Sequence, residues 1–325
     1  MTLKDFFRKY PDEASCKLAF KQMRDKQGVS CKKCGCTDHY WKSDKWQYEC
    51  KDCGFRTTLR SDTVMQGSNL PYQYWLTAIA FLTTTKKSFS ALEMQRQLGH
   101  KRYEPIWAMM HKLRLVMGNR DARYKLSDYI EMDEGFFESV NSRKKVTDQL
   151  NVEVNENKRG RGSEKQSKVL VAVESMAVNK NTKPVKYKHK PDKKCGYLKM
   201  IVMDDLTAEG INFEVKSNIN KQAIILTDGY RGYSKLKNYV KKHQAHVCKD
   251  KNEMQKVFPW VHTTISNAKK ICQGIHHSIK DVYMQNYLDE FCYKFNRRYF
   301  GDKIFDRLLI DSVTDTWKDF RYDSG

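Results

Sequence analysis

Two Cys-x-x-Cys pairs constrain the folding of this chain more than any other local feature. Cys31-Lys32-Lys33-Cys34 and Cys50-Lys51-Asp52-Cys53 are separated by fifteen residues, and a glycine, Gly35 or Gly54, follows each pair. A pair at this spacing makes a tight knuckle that points two sulfurs at one place. Two knuckles then complete a tetrahedral shell of four thiolates. Such a shell predicts structural Zn²⁺, because it leaves no coordination position open for chemistry. The intervening DHYWKSDKWQYE alternates as a short hairpin does, so residues 28–66 read as a zinc ribbon. Cys36 has the wrong spacing for either knuckle. Several other cysteines (Cys16, Cys248, Cys272, Cys292) fall within helical or strand-like patterns, and a mixture of metal-bound and buried thiols fits a reducing compartment.

The charge balance narrows the partners. Sixty Lys and Arg against 39 Asp and Glu give a net charge of +21 and a pI near 9.4. That excess predicts binding to a polyanion and electrostatic steering toward it. A membrane surface is the rival polyanion, but no apolar run reaches spanning length and no N-terminal stretch has the order of a signal peptide. A cytoplasmic protein that binds nucleic acid is the expectation.

The texture of the chain changes several times. Residues 1–27 read as an amphipathic helical lead. Residues 67–120 read as helical, and SFSALEMQRQLGHKRYEPIWAMMHKLRLVMG within them has the form of a helix-turn-helix. There Ser90 can cap a first helix with Leu92, Met94 and Leu98, ending at Gly99. A second helix carries Ile106, Trp107, Met110, Leu113 and Val116, which leaves His111, Lys112 and Arg114 to face a DNA groove or phosphates. From residue 121 to 310 an α/β domain is expected, with short strands over 129–137, 168–178, 196–204 and 223–227. Residues beyond 233 read as mostly helical, and 311–325 as a tail. Residues 141–200 hold 16 Lys or Arg against 6 Asp or Glu. Such a run is either a solvated hairpin tip or an arm that orders on phosphate.

Two aspartates occupy strand positions: Asp133 in YIEMDEGFFE and Asp228 in AIILTDGYRGY. A carboxylate at a buried strand position is costly unless a positive charge sits beside it. Two brought together on neighbouring strands make a site for a hard divalent cation, and in so basic a chain the natural ligand of that cation is a nucleic-acid phosphate. Alternation places Glu134 on the opposite face from Asp133 and Glu131 on the same face. Asp228 precedes Gly229 and can equally start a turn. No carboxylate occurs within residues 260–280, so a third ligand there would have to come from His262, Asn267 or the Lys269/Lys270 pair, with Glu253 and Glu290 on either side. Arg297 and Arg298 follow an aromatic stripe and read as phosphate clamps or carboxylate partners.

Taken in order, the zinc ribbon, SALEMQRQLG, MDEGFF, LTDGYRGY, VHTTISNAKK, GIHH and YLDEFCYKFNRR resemble the ISXO-type insertion-sequence transposases of bacteria over about residues 15 to 310. That resemblance implies an RNase H-like mixed sheet flanked by helices, of the DDE superfamily, preceded by a zinc ribbon and a helix-turn-helix. It implies catalytic Mg²⁺ or Mn²⁺ and cutting and joining of DNA at the ends of a mobile element, in a nucleoid-associated protein. It places Asp133 and Asp228 as the first two catalytic acids and, through the Asp-Asp-Asn-Lys form that ISNAKK resembles, Asn267 and Lys269 as the remaining catalytic residues. Asn267 would then be the third Mg²⁺ ligand, with His262 and Glu290 as alternatives. A homodimer or larger assembly on the element's terminal repeats and target DNA is the matching expectation. A non-catalytic DNA-binding regulator with a decayed nuclease fold, or a nuclease that cleaves without joining, are the alternative functions.

Overall fold

The structure is a computed structural model, and it describes residues 1–140, 166–177 and 193–316. Residues 141–165 and 178–192 of the basic run lie outside the described residues, and so does the expected hairpin tip or arm. The chain divides into two compact units, one made of Met1–Arg120 with Arg297–Gly325 and the other of Asp121–Asn296.

In the first unit, α1 (Leu3–Lys9) and α2 (Glu13–Gln27) each begin with a reciprocal capping box, through Thr2 with Asp5 and Asp12 with Ser15. A three-stranded antiparallel sheet follows: β1 (His39–Lys42), β2 (Gln47–Cys50) and β3 (Arg56–Thr58). Helix α2 lies against this ribbon. Its Lys17 and Lys21 ammonium groups sit over the Trp46 and Trp41 rings, and Asp25 accepts the Tyr48 hydroxyl hydrogen at 2.8 Å. Helix α3 (Tyr72–Thr84) starts after Pro71, which offers no side-chain cap. Glu13 compensates, since its two carboxylate oxygens accept the Tyr72 and Gln73 amide hydrogens at 2.9 and 2.7 Å.

Next come α4 (Ala91–Leu98), capped by Ser90 and closed by Gly99, and α5 (Tyr103–Ala122). The helix-turn-helix order is present, but its polar residues are placed differently from the sequence expectation. His111, Lys112 and Arg114 are 0, 6 and 0 % exposed, so they do not face a groove. The cause is that α5 is apolar on more than one face. Ile106, Met109, Met110, Leu113, Val116 and Met117 form one buried stripe, the half-buried Trp107 and Leu115 lie off it on other faces, and the polar residues between are carried inside. They are held by main chain and ring contacts there. Lys112 donates to the Gln66 carbonyl (3.1 Å), Arg114 donates to the Phe89 carbonyl (3.0 Å), and His111 packs on Trp107. Burial pulls the Lys112 ammonium down to about 8. Exposed basic positions here include Arg96 on α4 and Lys101 and Arg102 just before α5.

The second unit is built on a five-stranded mixed sheet. Strands β4 (Tyr129–Glu138), β5 (Gln166–Ala177) and β6 (Lys193–Met203) are antiparallel neighbours. Helix α6 (Ala208–Asn218) then crosses over, so that β7 (Ile224–Thr227) joins β4 in parallel and β8 (Lys242–Ala245) joins β7 in parallel. The order β6-β5-β4-β7-β8 is the RNase H-like arrangement. Strand β8 was not expected: KHQA is short, polar and at the sheet edge, so it has no apolar alternation to reveal it. Helices α7 (Lys251–Val257), α8 (Val261–Ile275) and α9 (Met284–Asn296) complete the unit. One sheet face packs Val169, Val171, Val173 and Met200 with α8 and α9, and the other packs Ile130, Met132, Leu170 and Ile225 with α6. The long apolar runs of the central strands reflect this double coverage.

The chain then returns to the first unit through α10 (Lys303–Thr314). Phe305 from α10 packs against Phe6 and Tyr10, with ring centroids 5.7 and 5.9 Å apart. The α/β unit therefore ends at Asn296 and not near 310, and residues 311–314 are helix rather than tail. Arg297 is buried, which removes it as a surface phosphate clamp, while the half-buried Arg298 lies over the Tyr299 ring.

Candidate metal centres and the acidic cleft

The two cysteine knuckles have matching backbone geometry. In the first, the Gly35 amide donates to the Cys31 carbonyl and the Cys31 amide to the Cys36 carbonyl. In the second, Gly54 donates to Cys50 and Cys50 to Phe55, all at 2.8–3.0 Å. Gly35 and Gly54 sit at φ +77 and +67, a left-handed turn that favours glycine. Sulfurs of Cys31 and Cys53 are 3.6 Å apart, and those of Cys34 and Cys50 are 3.5 Å apart. Zn–S bonds of about 2.3 Å in a tetrahedron require sulfurs about 3.8 Å apart, so the four residues fit a closed Zn²⁺ shell. Backbone amides of Cys53 and Asp52 pointing at the Cys50 sulfur lower that thiol to about 6, which favours the thiolate a metal needs.

The second site lies where β7 stops. Strand β4 is paired with β7 only through Tyr129, Ile130 and Glu131, and β7 ends at Thr227. Asp133 is therefore just past the end of its neighbour, and Asp228 begins the loop that crosses there. Carboxylate oxygens of Asp133, Glu134 and Asp228 lie within 4.8 Å of one another. One Asp228 oxygen, Oδ1, accepts the Tyr230 amide hydrogen at 2.9 Å, so the turn that Asp228 starts also orients its carboxylate. The next residue must be small, because a side-chain carbon at Gly229 would come within 2.6 Å of Val247. Both aspartates open onto a cleft of about 710 Å³, whose lining also includes Arg231, His246, Cys248 and His262.

Glu131 sets the helix side of this cleft. Its Oε2 accepts the amide hydrogens of Trp260 and Val261 at 2.8 and 2.9 Å, capping α8 where Trp260 gives no side-chain cap. Helix α8 then runs alongside β4. His262 Nδ1 is 3.3 Å from Asp133 Oδ2, Ile265 approaches Gly135, and Lys269 Nζ lies over the Phe137 ring at 5.8 Å. Burial lowers the His262 imidazole from its usual value, against the opposing charges of Glu131 and Asp228.

The other expected residues fall elsewhere. At 100° per residue, Asn267 is on the far side of α8 from His262 and Ile265, and it is exposed. Lys269 lines a small cavity of about 110 Å³ with Phe137, Glu138, His276 and His277, about four strand residues from Asp133. Neither Asn267 nor Lys269 lines the acidic cleft. Glu290, from α9, is buried 3.7 Å from Lys294 and is likewise absent from the cleft lining. The sequence did not foretell Glu134 as a member of the acidic group. Alternation was read correctly for its face, but only the end of β7 lets carboxylates from both faces meet. The adjacent Gly229 was the available sign of that strand end.

The profile of the ISXO2-like transposase domain matches residues 125–296, more than half of the chain. The chain belongs to the ISXO2-like transposase family. The profile of the transposase zinc-ribbon domain matches residues 11–56, which span α2 and both knuckles. Among solved structures, a chain from the crystal structure of the Mos1 strand transfer complex aligns over 78 % of this chain and 82 % of that one. Its identity of 11 % and TM-score of 0.26 are too slight to establish a shared fold. A search of curated proteins gave no match. No helix among the described residues is long and apolar enough to cross a membrane.

Proposed function

We propose that this protein cleaves phosphodiester bonds at the ends of an insertion sequence and joins the freed 3′-OH to target DNA. The observation that carries this reading is the meeting of Asp133 and Asp228, 95 residues apart in sequence, within 4.8 Å at the end of β7 in an open cleft. Carboxylate oxygens are the donors a hard cation takes, so the pair fits Mg²⁺ or Mn²⁺. When bound, such a cation activates an attacking oxygen and neutralises charge on the leaving oxygen. Asp133 and Asp228 hold it. His262, whose Nδ1 lies 3.3 Å from Asp133 Oδ2, orients that carboxylate. Arg231, in the cleft lining, is placed to take a DNA phosphate. Asn267 and Lys269 belong in this reading only if α8 turns or shifts when DNA binds. The zinc ribbon and the exposed start of α5 supply DNA binding. Two ends cut in one complex call for a dimer or larger assembly, working in the cytoplasm on the nucleoid.

Purified protein incubated with labelled element-end DNA, a target plasmid and Mg²⁺ or Mn²⁺ tests the proposal. Joined product is the expected outcome, and it disappears with Asp133→Ala or Asp228→Ala while end binding persists. Nicks without joining identify a nuclease. Band shifts without cleavage identify a DNA-binding regulator, a reading favoured by the lack of an acid on α8.

A further inference from the structure

We infer that Glu134 supplies the third carboxylate of the catalytic cation site, in the position the sequence leaves to a neutral amide on α8. The inference rests on the transposase reading above and asks which residue completes its metal shell. Two ligands on one ion lie no farther apart than twice the metal–oxygen distance, which is about 4.2 Å for Mg²⁺ and about 5 Å for a larger hard cation. Glu134 lies within 4.8 Å of Asp133 and Asp228, inside the limit for the larger cation and about half an ångström beyond that for Mg²⁺, whereas Asn267 is exposed on the opposite side of α8.

Adjacent strand residues ordinarily point to opposite faces, and these two do. Asp133 shares the α8 face with Glu131, while Glu134 shares the α6 face with Ile130 and Met132. They meet only because β7 ends at Thr227, so that the sheet is one strand narrower beside them. Their carboxylates come around that end from the two sides, with Asp228 between.

Glu134 is 8 % exposed, and three carboxylates this close in a partly buried place repel one another unless a cation joins them. Tyr233 gives an independent sign. It is 1 % exposed, and its hydroxyl, without a hydrogen-bond partner at normal distance, lies toward Glu134 and the two aspartates. A carboxylate drawn onto an ion while turned toward a buried phenol gives that hydroxyl an acceptor, so metal binding and Tyr233 satisfaction coincide. Glu134 is then a ligand that restores the charge an amide cannot offer.

The test is Mn²⁺ affinity of the full-length, zinc-loaded protein, measured by the loss of free-ion paramagnetic resonance signal, with folding followed by circular dichroism. Thiolate knuckles filled with zinc do not compete for Mn²⁺. Asp133→Asn and Asp228→Asn are expected to weaken binding by at least about tenfold, because affinity follows ligand charge. Glu134→Gln should weaken it to the same degree, Glu134→Asp should recover part of it, and Asn267→Ala should leave it unchanged. If Glu134→Gln binds like the parent while the two aspartate variants fail, the inference about Glu134 is overturned and the site stands. If neither aspartate variant loses affinity, the cation site itself is misplaced. Should Glu134→Gln not fold, Glu134→Asp decides: Mn²⁺ affinity between that of the parent and the Asp133→Asn variant supports the assignment, and parent affinity rejects it.

Discussion

Single side chains in the α/β unit carry opposite electrostatic burdens. Burial raises the Asp289 carboxyl from its usual 3.8 to about 7, although Gln285 donates to it at 2.8 Å and works the other way. The folded form therefore holds a proton that the unfolded chain has released. Stability from this group is complete below pH 4 and is lost as pH rises toward 7, after which the deficit is constant. Asp289→Asn should thus raise stability at pH 8 by about 1–3 kcal/mol and leave it unchanged near pH 4, as read from denaturant unfolding at the two pH values. At the other extreme, Asp133 and Asp228 were legible from sequence alone. Each ends or interrupts a run of β-branched and apolar residues, and although Asp228 also starts a turn, the two together in so basic a chain pointed to one acidic site. His111, Lys112 and Arg114 were not legible in the same way. Their polarity suggested a surface, and only the spread of apolar residues around α5 explains why they are interior.

Elements place the residues, and here capping across elements matters most. Glu131 ties the start of α8 to β4, and with it the contact between His262 and Asp133. Glu131→Gln keeps the shape but removes the charge from two amide bonds, so it should destabilise the protein by about 1–3 kcal/mol in urea unfolding. The His262 ring resonances should shift as α8 loosens, while Glu138→Gln, on the exposed end of β4, should leave both unchanged. The ribbon makes a second element-scale case. Removing zinc with a chelator should unfold β1 to β3 and expose Trp41 and Trp46, giving a red shift in tryptophan emission that added Zn²⁺ reverses. Strands β4 to β7 could be read because their apolar runs are covered on both faces. Strand β8 could not, since three polar residues and an alanine at an edge are held by pairing with β7 and by nothing in their own pattern. The joining of Glu134 to the acidic group was hidden for a related reason: it depends on where a neighbouring strand stops.

At the scale of the whole molecule, a charge of +21 makes DNA affinity steeply salt-dependent. Replacing Lys101 and Arg102 with Ala should reduce the slope of log K against log salt by about 1.8 if both meet phosphates, as measured by fluorescence anisotropy on duplex DNA. The same double substitution at Lys216, in the last turn of α6, and Lys221, just beyond it, is the comparison. The return of α10 to the first unit has a further consequence. Phe6, Tyr10 and the face of α3 obtain part of their cover from residues translated after the whole α/β unit. On the ribosome, the zinc-bearing unit must wait with an incomplete core while nearly two hundred later residues emerge. The transposase therefore finishes its sheet before it finishes the portion that begins the chain.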